Sequence, residues 1–308
     1  MNSKGINNKV AQVIPYFGKW PEWIELYMYS CGRNDMVDFI FYTDCEIPEH
    51  NYPNTIFHKC SFEDYQHLVS ERLNIEYKIK SAYKLTDLKP FLGAIHEREL
   101  LGYDFWGFGD IDLVYGDLSM VVNDKHLKRY DVITTHNYHI AGHFTLVRNN
   151  VKYRNLCFRI KNWEKGLVEE EHHGYDEAEW SGLVFPGLHY IRALHGRILK
   201  YFKIRLFSAL DILNPLFAPR LLFREYWTSP NPTPLGTHMI PQWIYEVNKG
   251  QLKCSDGGSI PYLHFLFFKK TPWLETDYYW REGYFQLNNN IQKYKLIKFD
   301  CFSITGEL

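Results

Sequence analysis

Residues 106–118 read WGFGDIDLVYGDL, an aromatic and apolar approach that delivers Asp110 and Asp112 with one apolar residue, Ile111, between them. Residues 103–109 have the composition of a buried strand, and carboxylates at its carboxyl end stand where open α/β sheets bind their ligands. Two carboxylates in such a place are costly unless a cation neutralises them, and hard oxygen donors suit Mg2+ or Mn2+. A cation held by one or two carboxylates completes its shell with water and substrate phosphates. The stretch predicts a site for a divalent cation and a phosphorylated ligand.

The preceding sequence supplies the sheet this reading needs. Residues 9–16, VAQVIPYF, read as a first buried strand that ends in the Pro15–Gly18 turn, and Pro21 opens a helix, PEWIELYMYSC. Residues 37–43, VDFIFYT, form a second strand ending on Asp44, so strand, helix and strand make a βαβ unit. Residues 62–78 and 81–101 read as helices, with Pro90 inside or opening the second. DVITTH (131–136) and HFTLV (143–147) read as strands joined by NYHIAG. Residues 241–252 have the alternation and Asn/Gly turn of a hairpin, and IPYLHFLFF (260–268) reads as one buried strand. No pattern places the aromatic tail after residue 275.

Composition narrows the function classes. A net charge of −1 excludes a general nucleic-acid binder, which needs a basic excess. Cys31, Cys45, Cys60, Cys157, Cys254 and Cys301 lack CxxC spacing and fit a reducing cytoplasm better than a disulfide framework. His139 and His143 stand four apart, but the glycine between them argues against a helical zinc pair. The N-terminal residues lack the apolar core of a signal peptide, and no run approaches the 18 apolar residues of a spanning helix. Residues 191–227 stand apart: Arg192, Arg197, Lys200, Lys203, Arg205, Arg220 and Arg224 face only Asp211 and Glu225, with Leu, Ile and Phe at spacings near three and four. This segment predicts a basic amphipathic helical insertion able to lie on an anionic membrane surface.

DID at 110–112, GDL at 116–118, HIAGHFTLVRN at 139–149, and His264, Lys269, Lys270 and Pro272-Trp273 follow one another in order. Together they resemble bacterial GT-A-fold glycosyltransferases, most closely glycosyltransferase family 8 and related polysaccharide-biosynthesis enzymes, over about residues 9–150 and 240–275. The spacing from His264 to the lysines is slightly longer than in that family. The resemblance implies an α/β fold of the GT-A type, a Rossmann-like mixed sheet with a helical insertion. Residues 1–190 would be the nucleotide-sugar core, 191–235 the insertion, and 236–308 the part completing the site.

The resemblance further implies metal ligation by Asp110, Asp112 and His264, with Lys269 or Lys270 on the diphosphate. It places a nucleoside diphosphate sugar, a UDP-hexose first, over Tyr16, Phe17, Gly18 and Asp44, beside Ile111, Gly142 and His143. In YKLTDLKP, Lys84, Asp87 and Lys89 lie on a helix that related enzymes turn toward base and sugar, and Lys84 and Asp87 would share a face. Asp176 and Glu177 fall where related enzymes carry acidic residues near the reacting sugar, as acceptor-orienting group or general base. The expected activity is metal-dependent hexosyl transfer to a bacterial surface glycan (capsule, O-antigen or lipooligosaccharide), free or lipid-linked, in the cytoplasm or at the inner face of its membrane. The alternatives are a sugar nucleotidyltransferase and a non-catalytic carbohydrate-binding or membrane-associated protein.

Overall fold

The computed structural model describes residues 9–134, 139–186, 221–223, 242–255, 257–265, 268–269 and 280–308, with 221–223 as backbone only. Its centre is a mixed seven-stranded sheet. The strands are β1 (Val10–Pro15), β2 (Val37–Thr43), β3 (Thr55–Lys59), β4 (Phe105–Gly109), β6 (Val132–Thr134), β7 (Phe144–Arg148) and β8 (Leu221–Phe223), in the order β3-β2-β1-β4-β7-β6-β8. Between β4 and β6 lies β5 (Leu113–Tyr115), which belongs to a separate ribbon. β1 pairs in parallel with both β2 and β4, while β7 runs antiparallel to β4 and β6. The chain leaves β1 for β2 on one side and reaches β4 on the other, so the carboxyl ends of β1 and β4 lie side by side at a topological switch point.

β1 is covered on both faces, which explains why it reads as a continuous apolar run. Ala11 and Val13 join a core cluster with Leu88, Phe91 and Trp106, whereas Val10 and Ile14 join one with Tyr27, Phe39 and Tyr115. Helix α1 (Ile24–Gly32) buries every residue from Ile24 to Cys31. Tyr27 and Met28 pack on the central sheet, and Leu26 and Tyr29 pack into the C-terminal cluster, so the helix is filled from two sides. That cluster belongs to a second, antiparallel sheet of β9 (Gln242–Glu246), β10 (Gln251–Cys254), β11 (Ser259–Ile260), β13 (Leu296–Asp300) and β14 (Ile304–Glu307), in the order β11-β10-β9-β13-β14.

Several expectations need correction. Residues 260–268 are not one strand. Ser259–Ile260 pairs with β10, and after Pro261 the strand β12 (Tyr262–His264) pairs instead with β5. Proline has no N–H to continue the first ladder, which lets the chain change sheets there. Residues 82–91 form a 3-10 helix with Pro90 inside it rather than a long α-helix. Helix α2 (Phe62–Leu73) starts at a Ser61–Asp64 capping box and stops short of residue 78 at Asn74, whose φ of +54° ends the helix in the left-handed region. β3, β13 and β14 were not expected. Within the predicted helical insertion 191–235, residues 221–223 form a strand parallel to β6; the rest of that basic segment lies outside the described residues.

Candidate metal and ligand site

Asp110 and Asp112 follow β4 directly, and Asp110 N–H is held by the His143 carbonyl at 3.2 Å. β5 starts immediately after Asp112 and pairs antiparallel with β12, bringing His264 opposite Leu113. Phe265 N–H donates to the Asp112 carbonyl at 2.8 Å, which closes the ribbon beside the carboxylates. A residue about 150 positions away in sequence is thereby placed next to the Asp-Ile-Asp turn. One donor atom each from Asp110, Asp112 and His264 falls within 4.8 Å of the others.

Two of these atoms are buried without a hydrogen-bond partner among the described residues: Asp112 Oδ1 and His264 Nε2. They lie 3.4 Å apart, and Asp112 and His264 are 9 % and 6 % exposed. Buried polar atoms are rarely left unpaired, because the desolvation penalty then stands uncompensated. Two carboxylates and an imidazole fit Mn2+ or Mg2+ in donor type, so the residues present suit a divalent cation. Against the unfavourable effect of burial, the Lys269 ammonium and His264 hold the Asp112 carboxyl well below the usual carboxylate range.

Two lysines reach this cluster. Lys269 Nζ lies 2.6 Å from Asp112 Oδ2 and 5.0 Å from the centroid of the Trp23 ring, whose own N–H donates to the Ile111 carbonyl at 2.9 Å. Lys89 Nζ lies 2.7 Å from Asp110 Oδ1 and 3.8 Å from Asp176 Oδ2. Burial opposes the charge on Lys89, but the Asp110 and Asp176 carboxylates outweigh it and raise its pKa. Trp23 was missed in sequence; its only signal was its place at the start of α1, after Pro21.

Asp176 and Glu177 stand at the start of a short π-helix and face Gly142. A Cβ on Gly142 would come within 2.6 Å of Asp176 Oδ2, 3.3 Å of Lys89 Nζ and 3.4 Å of Glu177 Oε1, so glycine makes room for this cluster. The loop is fixed by Ser181 Oγ accepting from Ile140 N–H and by Thr134 and Thr145 hydroxyls on Ala141. Burial pushes the Asp176 carboxyl up; burial and then the neighbouring Asp176 do the same for Glu177. Asp176 is enclosed, whereas about half of the Glu177 side chain, 53 %, remains exposed. His143 stacks on His264 with ring centroids 4.2 Å apart and bonds the Tyr262 hydroxyl at 2.8 Å.

The other predicted positions divide. Tyr16 stacks on Trp20 and its hydroxyl donates to the Lys19 carbonyl at 2.8 Å, with burial, then Cys45 and Asp112, raising its pKa. Gly18 has φ of +106°, and its N–H donates to Asp44 Oδ1 at 2.8 Å, so Asp44 shapes the loop after β1. Phe17 is buried and packs against Phe62 and Tyr65 in the core. Lys84 and Asp87 are buried and spent on one another and on the loop 166–174, so neither is presented to a ligand. Lys270 lies outside the described residues, as do Pro272 and Trp273.

Fold and site together define a mixed α/β protein with Asp110, Asp112 and His264, a group whose donor atoms could hold a metal ion, at the switch point of its main sheet. The chain belongs to the family described as "Family of unknown function (DUF6625)", whose model matches residues 12–205. No curated protein matches it. Among solved structures, the glycosyltransferase GlyE of Streptococcus pneumoniae TIGR4 is similar at 16 % identity over 65 % of this chain and 52 % of that one, with a TM-score of 0.31. The apo form of GlyE gives 18 % identity with the same coverage and a TM-score of 0.30. The apo structure of the WbbM bifunctional glycosyltransferase gives 13 % over 75 % and 41 %, with a TM-score of 0.23. The chain spans about half the length of the solved structures it matches, and likenesses of this size carry no functional argument. Among the described residues no helix is long and apolar enough to cross a membrane.

Proposed function

We propose that this chain is a metal-dependent glycosyltransferase with a GT-A-like core, taking a sugar from a nucleoside diphosphate sugar, a UDP-hexose first, to a hydroxyl of a glycan acceptor. The observation that carries the reading is the pair of buried donor atoms on Asp112 and His264, 3.4 Å apart and without a well-formed hydrogen bond among the described residues, with Asp110 in reach, at the end of β4. This is the edge of the sheet where α/β folds hold nucleotides, and the Asp-Ile-Asp, Gly-Asp, His and Lys order agrees with the resemblance to glycosyltransferase family 8.

Asp110, Asp112 and His264 would hold Mn2+ or Mg2+, which neutralises charge building on the departing diphosphate. Lys269 supplies a second, protein-borne positive charge to the same oxygens. The loop after β1, held open by Gly18 and Asp44, offers backbone and the Tyr16 ring to the nucleoside. Asp176 is enclosed and paired with Lys89, so it fixes the floor of the sugar site. Glu177 is the accessible member of the acidic pair and orients the acceptor hydroxyl or takes its proton. The basic segment within 191–235 remains the proposed route to an anionic membrane surface or a lipid-linked acceptor.

The test is thermal stability against UDP, GDP and their sugar conjugates, with and without Mn2+, for the wild type and Asp112→Asn. A ligand at a hundred times its dissociation constant stabilises by about 2.7 kcal/mol. A shift for one nucleotide that needs Mn2+ and disappears in the variant supports the reading. No shift with any nucleotide and an unchanged variant refutes it and favours a non-catalytic binding protein.

A further inference from the structure

Each aspartate of the cation cluster carries its own lysine, and the two lysines come from unrelated segments. Asp110 is paired with Lys89 of the 3-10 helix 82–91, and Asp112 with Lys269 beyond β12. A dication reaching Asp110, Asp112 and His264 competes with both ammonium groups for the same carboxylates. Like charges a few ångströms apart in a partly buried site repel strongly.

The two lysines differ in what they fall back on. Lys89 has a second carboxylate, Asp176, at 3.8 Å, and so keeps a partner when Asp110 turns to a cation. Among the described residues Lys269 has no second carboxylate within ion-pair distance, and its recorded contacts there are Asp112 and the face of Trp23. Displaced from Asp112, it has no other described carboxylate to turn to and stands as a like charge beside a dication until an anion arrives.

We infer that Lys269 is an interlock: it suppresses binding of the divalent cation alone and makes cation and diphosphate bind as one unit. The diphosphate accepts Lys269 and so removes the repulsion that the cation creates. The coupling is reciprocal, since whatever factor the diphosphate adds to cation affinity, the cation adds to diphosphate affinity. This rests on the proposed cation site and goes beyond it by assigning Lys269 a role before any donor is bound.

The experiment uses the full chain freed of metal with EDTA. Mn2+ binding is followed by electron paramagnetic resonance of the free ion, and UDP and GDP binding by calorimetry with and without saturating Mn2+. In the wild type, Mn2+ alone binds weakly, and it raises affinity for the nucleoside diphosphate about tenfold or more. Lys269→Met and Lys269→Gln, two shapes that both lack the charge, bind Mn2+ alone about tenfold more tightly than the wild type. In both, the coupling between cation and diphosphate shrinks towards unity. Lys269→Arg keeps the charge and keeps the coupling.

Uncharged variants that bind Mn2+ no more tightly than the wild type, or retain full coupling, overturn the interlock and leave the cation site standing. A wild type that takes up no Mn2+, with or without nucleotide, overturns the cation site and the interlock with it.

Discussion

Lys84 Nζ lies 2.8 Å from Asp87 Oδ2 in an ion pair that is shut off from solvent on both sides. The pair is a clamp rather than a ligand contact. Lys84 also donates to the carbonyls of Gly166 and Glu171, and Asp87 accepts from the backbone N–H groups of His173 and Gly174. His172 Nδ1 adds a further contact to Asp87 at 2.9 Å. The 3-10 helix therefore pins the loop leading into Asp176 and Glu177, while Lys89 on the same helix reaches Asp110.

Asp87→Asn leaves the Lys84 charge buried and turns amide donors toward backbone donors. Breaking a buried pair on one side costs about 3–5 kcal/mol. Urea unfolding of this variant is expected to show a loss in that range. The double variant Lys84→Met/Asp87→Leu loses less than the sum of the single changes, because no charge is stranded. A loss under about 1 kcal/mol for Asp87→Asn contradicts the clamp.

His96 makes stability depend on acidity. It is fully buried, with Nε2 bonded to the Tyr65 hydroxyl at 3.0 Å and its ring against Tyr42, and burial, aided by Arg72 and His58, pushes its pKa down to about 3. In the unfolded chain the same ring takes its proton near pH 6.5, as an ordinary histidine does. Its contribution to folding is complete above that pH and drains away as the pH falls through 6.5 towards 3. Each unit in that window is worth about 1.4 kcal/mol, or about 2 kcal/mol between pH 7 and pH 5. Denaturant titrations of wild type and His96→Gln at both pH values check this. The wild type should lose that much more stability on acidification than the variant, and parallel losses would remove His96 as the cause.

His264→Ala separates a ligand from a core histidine. Loss of the imidazole removes one of three candidate donors, and roughly a hundredfold loss of Mn2+ affinity is expected, since even the supporting partners of metal ligands are worth 10–100-fold. Removing metal from the wild type with EDTA should likewise erase any Mn2+-dependent rise in melting temperature. The reverse pattern, a less stable metal-free protein that still binds Mn2+ with wild-type affinity, makes His264 a packing residue of the His143–Tyr262 stack.

What could be read in the sequence is what depends on local pattern. The boundaries of β2, the strand before Asp110, the 242–254 hairpin and the βαβ opening all follow from apolar runs and turn residues a few positions apart. The resemblance named Asp110, Asp112 and His264, but no spacing rule brings His264 to them. The β5–β12 ribbon does that, and its shape depends on Pro261 ending one ladder so that another can begin. Lys84 and Asp87 share a face as their spacing implies, yet their burial reverses their meaning, because the loop that covers them lies some 80 residues further on. β13 escaped notice because its half-buried alternation carries Lys298 and Asp300 on the open face, and β14 because only Ile304 of its four residues is buried.

Gly142 tests whether the acidic pair works as a positioned unit. Its φ is not in the left-handed region, so alanine there meets a question of space rather than of backbone strain. The added methyl would stand 2.6 Å from Asp176 Oδ2, and Asp176 is buried and 3.8 Å from Lys89 Nζ, so its carboxylate must shift within an occupied site. Gly142→Ala therefore displaces Asp176, and Glu177 with it, by a fraction of an ångström to an ångström. Overpacking of this kind costs about 1–3 kcal/mol of stability. A misplacement of about 1 Å at reacting groups lowers turnover about a hundredfold. The expected variant is folded, binds Mn2+ as the wild type does, and is slowed in kcat for sugar transfer or donor hydrolysis with little change in KM. An unchanged kcat would separate the Asp176–Glu177 pair from the chemistry and return it to the role of a buried brace for Lys89.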